Sequence, residues 1–193
     1  MTAGDAARIR RLHSEAIVID GMNNARMTGG YFRSMMDGGI TATMIPVTIS
    51  APFRQTIDQL GELLKLVDEN SDRVHIIRRA PEIEEAKRQG KLGLILALED
   101  TRQLEDDLNL IRIYWELGIR RMQLVHRLQN TMGAGKAERH DSGLTRFGVQ
   151  AIERMEKVGM LVDLSHCPPK MLSDAMEVVT RSVVLSHSNV KAV

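Results

Sequence analysis

Apolar and polar positions along the chain fall into a repeating two-part pattern. A short, nearly continuous apolar run is followed by a longer stretch whose apolar residues recur at helical spacing. The runs are AIVID (16–20), ITATMIPV (40–47), LGLILALE (92–99), RRMQLVH (120–126), MLVDLSH (160–166) and SVVLSH (182–187). Short runs with little alternation predict parallel strands covered on both faces.

Helix signals fill the intervals. Ile57, Leu60, Leu64 and Val67 form one stripe, and Leu104, Leu108, Ile111 and Trp115 another that Gly118 stops. Ala80-Pro81-Glu82 opens a helix with proline in its first turn, and Gly90 ends it. Thr145 is placed to cap a helix carrying Phe147, Ile152 and Met155, closed by Gly159. Pro168-Pro169 opens the last helix, with Met171, Leu172, Ala175, Met176 and Val179 available for burial. MTAGDAARIRRLHSEA reads as a short charged helix before the first strand. Gln129 to Leu144 is a long, glycine-rich, charged loop.

Alternating strands and helices without a long linker predict an α/β fold, and both a doubly wound sheet and a (β/α)8 barrel fit. Glu99, His126, His166 and His187 each fall at the C-terminal end of a predicted strand. Barrel sites are assembled there, from several strands. An open sheet concentrates its site at one switch point, usually beside a glycine-rich phosphate loop, and none follows the first run. The pattern therefore predicts a (β/α)8 TIM-type barrel, with about six β/α units in residues 1–193 as one incomplete barrel domain.

Bulk properties remove several function classes. A net charge of +1 and 3% aromatic residues argue against a nucleic-acid surface. No apolar run reaches membrane-spanning length, and no apolar core follows the N-terminal basic residues as in a secretory signal. Cys167 is the sole cysteine, which excludes an internal disulfide and predicts a reducing, cytoplasmic setting. The twelve methionines read as fillers of core gaps.

Two imidazoles and a carboxylate at equivalent strand ends form a standard divalent-metal set, with zinc favoured by its fit to N and O donors. Such a site keeps a position open for water, whose pKa the ion lowers toward neutrality. The fourth residue, His126, fits three roles: ligand, proton carrier, or donor to developing oxyanion charge. Asp163 reads as a hydrogen-bond acceptor supporting the site or the local structure. Cys167 reads as a small packing residue and His140-Asp141 as solvated loop. His13 and His75 fall on the opposite side of the fold.

Taken in order, AIVIDGMNN, LILALED, LGIRRMQLVHRLQNT, GLTRFG, KVGMLVDLSH and VVLSHSN resemble the membrane (renal-type) dipeptidase family over nearly the whole chain. The resemblance implies a (β/α)8 barrel that hydrolyses dipeptides with a two-zinc site. By that likeness, Glu99 matches the carboxylate bridging the metals, and His166 and His187 the ligands that complete the second metal. His126 matches the histidine that contacts substrate and polarises the scissile carbonyl.

The first-metal motif departs from the family pattern, with Met22 and Asn24 where it has histidine and aspartate. A thioether is a weak zinc ligand and a carboxamide brings no charge. One Zn2+ is therefore expected rather than two. The family's substrate-binding arginine and proton-transferring aspartate match no position up to Val193. Barrels of this class usually need about 250 residues, so two expectations stand: the chain is a piece of a longer one, or a second chain, as in a homo-oligomer, covers the open sheet edges. Two functions follow: a zinc-dependent dipeptidase-like hydrolase using a metal-activated water on a small dipeptide or amide, or a catalytically silent barrel serving as a binding or assembly subunit.

Overall fold

In the computed structural model, which describes residues 3–189, six strands alternate with seven α-helices. Their order is α1 (Ala3–Glu15), β1 (Ile19–Asp20), α2 (Gly29–Asp37), β2 (Ala42–Pro46), α3 (Phe53–Glu69), β3 (Val74–Ile76) and α4 (Pro81–Arg88). They are followed by β4 (Leu92–Leu98), α5 (Leu110–Leu117), β5 (Arg121–Gln123), α6 (Arg146–Val158), β6 (Leu161–Asp163) and α7 (Pro169–Val178). Met1 and Thr2 of the expected N-terminal helix lie outside the described residues.

All pairings are parallel, in the order β1-β2-β4-β5-β6, with β3 paired to the start of β4. The result is a parallel half-barrel with β4 at its centre, every residue of that strand buried. Alternation along the strands separates two faces. Leu94, Leu96 and Leu98 of β4, Met122 of β5 and Val162 of β6 pack into the large core between sheet and helices. Ile95 faces the other way, into a smaller cluster with Ala42, Ile77 and Ala86. Gly93 is small for a reason: a Cβ there would lie 2.9 Å from the Ile77 side chain and 3.2 Å from Ala42.

The same parity puts Glu99, Arg121, Gln123, Asp163 and Ser165 on the inner face, all buried. The barrel interior thus changes from apolar near the strand starts to polar near the strand ends. That change positions the site.

Helix ends follow the sequence signals. The Thr145 hydroxyl accepts from Gly148 N–H at 3.0 Å and caps α6. Gly118 and Gly159 take left-handed φ values of 107° and 88°, which end α5 and α6 at little steric cost.

Three elements differ from expectation. Residues 182–187 form only one bridge, Asp163 to Val184, and Leu185 there is 52% exposed. β3 was not expected from the pattern, because VHI is short and flanked by charge. Neither was α2, whose two opening glycines are poor helix formers; the Thr28 hydroxyl caps it by accepting from Tyr31 N–H at 3.1 Å.

Candidate metal centre

Each residue of the predicted set is delivered by the end of a strand. Glu99 follows β4, and its backbone N–H donates to Thr48 O at 3.3 Å. His126 lies just past β5, and His187 just past the Asp163–Val184 bridge. His166 follows β6 in a tight turn closed by Cys167 N–H donating to Leu164 O at 3.2 Å. His166 itself has φ 66°, a left-handed backbone rare outside glycine. Strain of this kind concentrates at functional positions.

The four side chains converge. One donor atom each of Glu99, His166 and His187 lies within 4.8 Å of the others. His126 Nε2 and His187 Nε2 approach Glu99 Oε1 at 3.7 and 3.6 Å, and the rings of His126 and His166 stack with centroids 4.5 Å apart. Burial, reinforced by the Lys136 ammonium and the neighbouring imidazoles, pushes His166 down to about 4. It is therefore neutral at physiological pH, the form that can bind a metal. Lys136 lies in the long loop and carried no sequence signal.

The donor set passes a simple test of fit to a divalent ion. Glu99 Oε2 and His166 Nδ1 are buried without a hydrogen-bond partner among the described residues. An unpaired buried carboxylate oxygen is costly unless a cation or donor satisfies it. The ligand chemistry, two imidazoles and a carboxylate, suits zinc.

Behind His187 runs a chain of hydrogen bonds. Ser186 Oγ donates to Asp163 Oδ2 at 2.5 Å and lies 2.9 Å from His187 Nδ1. The hydroxyl has one proton, given to the carboxylate, so it must accept from His187 Nδ1–H. That tautomer leaves the His187 Nε2 lone pair directed at the cluster. Asp163 also accepts from Ser165 N–H at 2.8 Å and pairs with Arg121 Nη1. Burial works against ionisation of Asp163, but the Arg121 guanidinium and the Ser186 and Ser165 donors outweigh it and hold the carboxyl below its ordinary range.

Met22 and Asn24 do not join the cluster. The Met22 sulfur faces Arg121 Nη2 at 3.7 Å. Asn24 is exposed on the wall of a groove of about 780 Å³ between the β1 and β2 ends and α3. Cys167 packs against the main core, and burial pushes its thiol up to about 12, leaving it unreactive. His140 is exposed, but Asp141 organises the loop, accepting from Gly143 N–H at 3.0 Å and Lys170 N–H at 2.6 Å.

Sequence reasoning passed over Arg121 and Ser186. The signal for Arg121 was present: Arg121 and Gln123 alternate with apolar residues in a strand too buried to show them to solvent.

A parallel half-barrel with a carboxylate and three histidines at its strand ends defines a metallohydrolase-type barrel. The chain belongs to the membrane dipeptidase family (peptidase family M19), whose model matches residues 6–193. It is similar to dipeptidase tcpJ of Claviceps purpurea, with 31% identity over 74% of this chain and 34% of that protein. Among solved structures it resembles an amidohydrolase from Pseudomonas aeruginosa, with 32% identity, a TM-score of 0.90, and coverage of 92% of this chain and 55% of that one. A metallo peptidase from Rhodobacter sphaeroides, solved with a phosphinate mimic of the dipeptide L-Ala-D-Ala, shares the fold at 16% identity. Its TM-score is 0.75, with coverage of 90% of this chain and 65% of that one. These neighbours identify the half-barrel as part of a dipeptidase-type TIM barrel. The chain spans about a third to a half of the length of the curated relatives it matches. Among the described residues no helix is long and apolar enough to cross a membrane.

Proposed function

We propose that this chain carries the metal-binding half of a zinc-dependent dipeptidase-like hydrolase that cleaves a dipeptide or related amide. Glu99, His166 and His187 hold one ion. When bound, zinc supplies Lewis acidity and makes water nucleophilic near neutral pH. His126, stacked on His166 and 22% exposed, donates to the carbonyl oxygen of the substrate as negative charge develops there. Asp163 acts through Ser186 to fix the His187 tautomer. Membership of the dipeptidase family supports the substrate class.

The observation that carries this reading is the convergence of the Glu99, His166 and His187 donor atoms within 4.8 Å, beside a buried Glu99 Oε2 with no partner among the described residues. The exposed Ile17, Ile19 and Leu185 at the sheet edges support a further covering chain, such as a second copy. A second reading, a catalytically silent binding subunit, is favoured by one observation: Met22 turns its sulfur to Arg121 rather than to the donor cluster.

Metal analysis of the purified protein and a dipeptide panel with added zinc separate the two. The hydrolase reading expects one zinc per chain and turnover, both lost in His187→Ala. Zinc binding without turnover selects the silent subunit. Turnover that survives His187→Ala refutes the metal mechanism.

A further inference from the structure

The inner face of the barrel carries a buried guanidinium, paired with Asp163, to which the hydrolase reading gives no direct task. Arg121 is completely buried. Its Nη1 donates to Asp163 and, at 2.8 Å, to Ser186 Oγ. Its Nε has no partner among the described residues, and the only acceptor recorded for Nη2 is the Met22 thioether at 3.7 Å. A thioether is a weak acceptor, so one edge of the guanidinium is anchored and the other is turned, poorly satisfied, toward residue 22. Arginine does not give up its proton even when buried. The guanidinium edge that faces residue 22 is therefore electropositive, while Asp163 balances the charge on the other edge.

Positions 22 and 24 are those at which the family resemblance implies a first metal, and the residues present do not fit one. Methionine is a weak ligand, Asn24 is exposed outside the donor cluster, and a guanidinium already stands within 3.7 Å of the only side-chain heteroatom that residue 22 offers. What fits is the reverse arrangement. A neutral, polarizable methionine tolerates close approach by a cation that a bound metal would repel.

We infer that the Arg121 guanidinium is the resident cation of this half of the site, standing in place of a first metal ion, and that Met22 and Arg121 form one unit. The inference rests on reading Glu99, His166 and His187 as the set that holds the remaining ion. It assigns a role to a side chain outside that set, and it changes what restoring the altered ligands should do. Returning a histidine and an aspartate to positions 22 and 24 is not sufficient to create a second metal position. The internal cation must be removed as well. Asp163 then loses its counter-charge, and an arriving divalent ion replaces it.

The test compares zinc stoichiometry and zinc-dependent melting of the purified protein, its Met22→His/Asn24→Asp variant, and that variant with Arg121→Gln added. One zinc is expected for the first two and two for the third. Second-site affinity should differ by about a hundredfold or more, given one unit charge near the ion. Zinc should raise the melting temperature of the third variant more than that of the others. Arg121→Lys in the same background retains the charge and should still bind one. If Arg121→Gln does not fold, Arg121→Gln/Asp163→Asn removes the stranded carboxylate and carries the same comparison. Two zincs in Met22→His/Asn24→Asp, or no gain on neutralising Arg121, overturns the inference. Absence of zinc from the unaltered protein refutes the Glu99, His166 and His187 set instead, and a one-ion gain between the second and third variants still supports the inference.

Discussion

Replacing Arg121 by methionine isolates the energetics of the interior. The Arg121 and Asp163 side chains are both 0% exposed, so removing one partner strands the other as an unpaired buried charge. Breaking such a pair from one side costs about 3–5 kcal/mol. For a chain of this size that corresponds to roughly 6–20 °C in melting temperature. Arg121→Met/Asp163→Asn removes both charges. The asparagine oxygen can still accept from Ser186 and Ser165, so the double variant should lose only about 1–2 kcal/mol. If each single variant costs about 3–5 kcal/mol, the coupling between the positions is then about 4 kcal/mol or more.

Urea melts of the four proteins of the cycle, followed by far-UV circular dichroism without metal, measure it. The pair also has a pH signature. Its carboxyl is held below the ordinary value, so its stabilisation is complete above pH of about 3.9 and is lost as pH falls through the folded-state value below that. The stability gap between the unaltered protein and Asp163→Asn should stay flat from neutral pH to about 5 and close below about 4. Single-variant costs that add within about 0.5 kcal/mol, or a gap that never closes in acid, would refute the argument.

Three further outcomes follow from the geometry. A Cβ at Gly21 would lie 2.9 Å from the Ser186 carbonyl oxygen, backbone that cannot step aside alone. Gly21→Ala should cost about 1–3 kcal/mol and weaken zinc binding about tenfold by moving His187, which calorimetric titration would detect. At His166, whose φ is 66°, the glycine variant should be more stable than the alanine variant by about 1 kcal/mol in denaturant melts, although both lose the ligand. Thr145→Ala removes the cap of α6 and should cost about 1 kcal/mol with zinc stoichiometry unchanged.

The strands and helices that bury continuous apolar surface were legible in the sequence, as LGLILALE becoming the wholly buried β4 illustrates. The Thr145 cap and the Gly118 and Gly159 stops were legible too, because they act within a few residues of the chain. VHI was not, because its strand character comes from pairing with β4 rather than from its own length. The run at 182–187 had strand composition but makes a single bridge, since composition does not supply a neighbour on both sides. The donor residues could be named from their strand-end positions. The burial of Arg121 had a local signal, but its pairing was hidden because its partners, Met22, Asp163 and Ser186, lie 99, 42 and 65 residues away. Spacing along the chain carries no information about such contacts.

Those separations also bear on when the site comes into existence during synthesis. The contact between Gly21 and Ser186 and the link from Arg121 to Ser186 join earlier strands to one of the last segments described. Contacts between distant segments form late, after loop-closure entropy has been met. The chain should therefore be unable to capture zinc tightly until His187 has left the ribosome. Until then Arg121 can pair with Asp163 but lacks its second acceptor, and the partner on Ser186 arrives last.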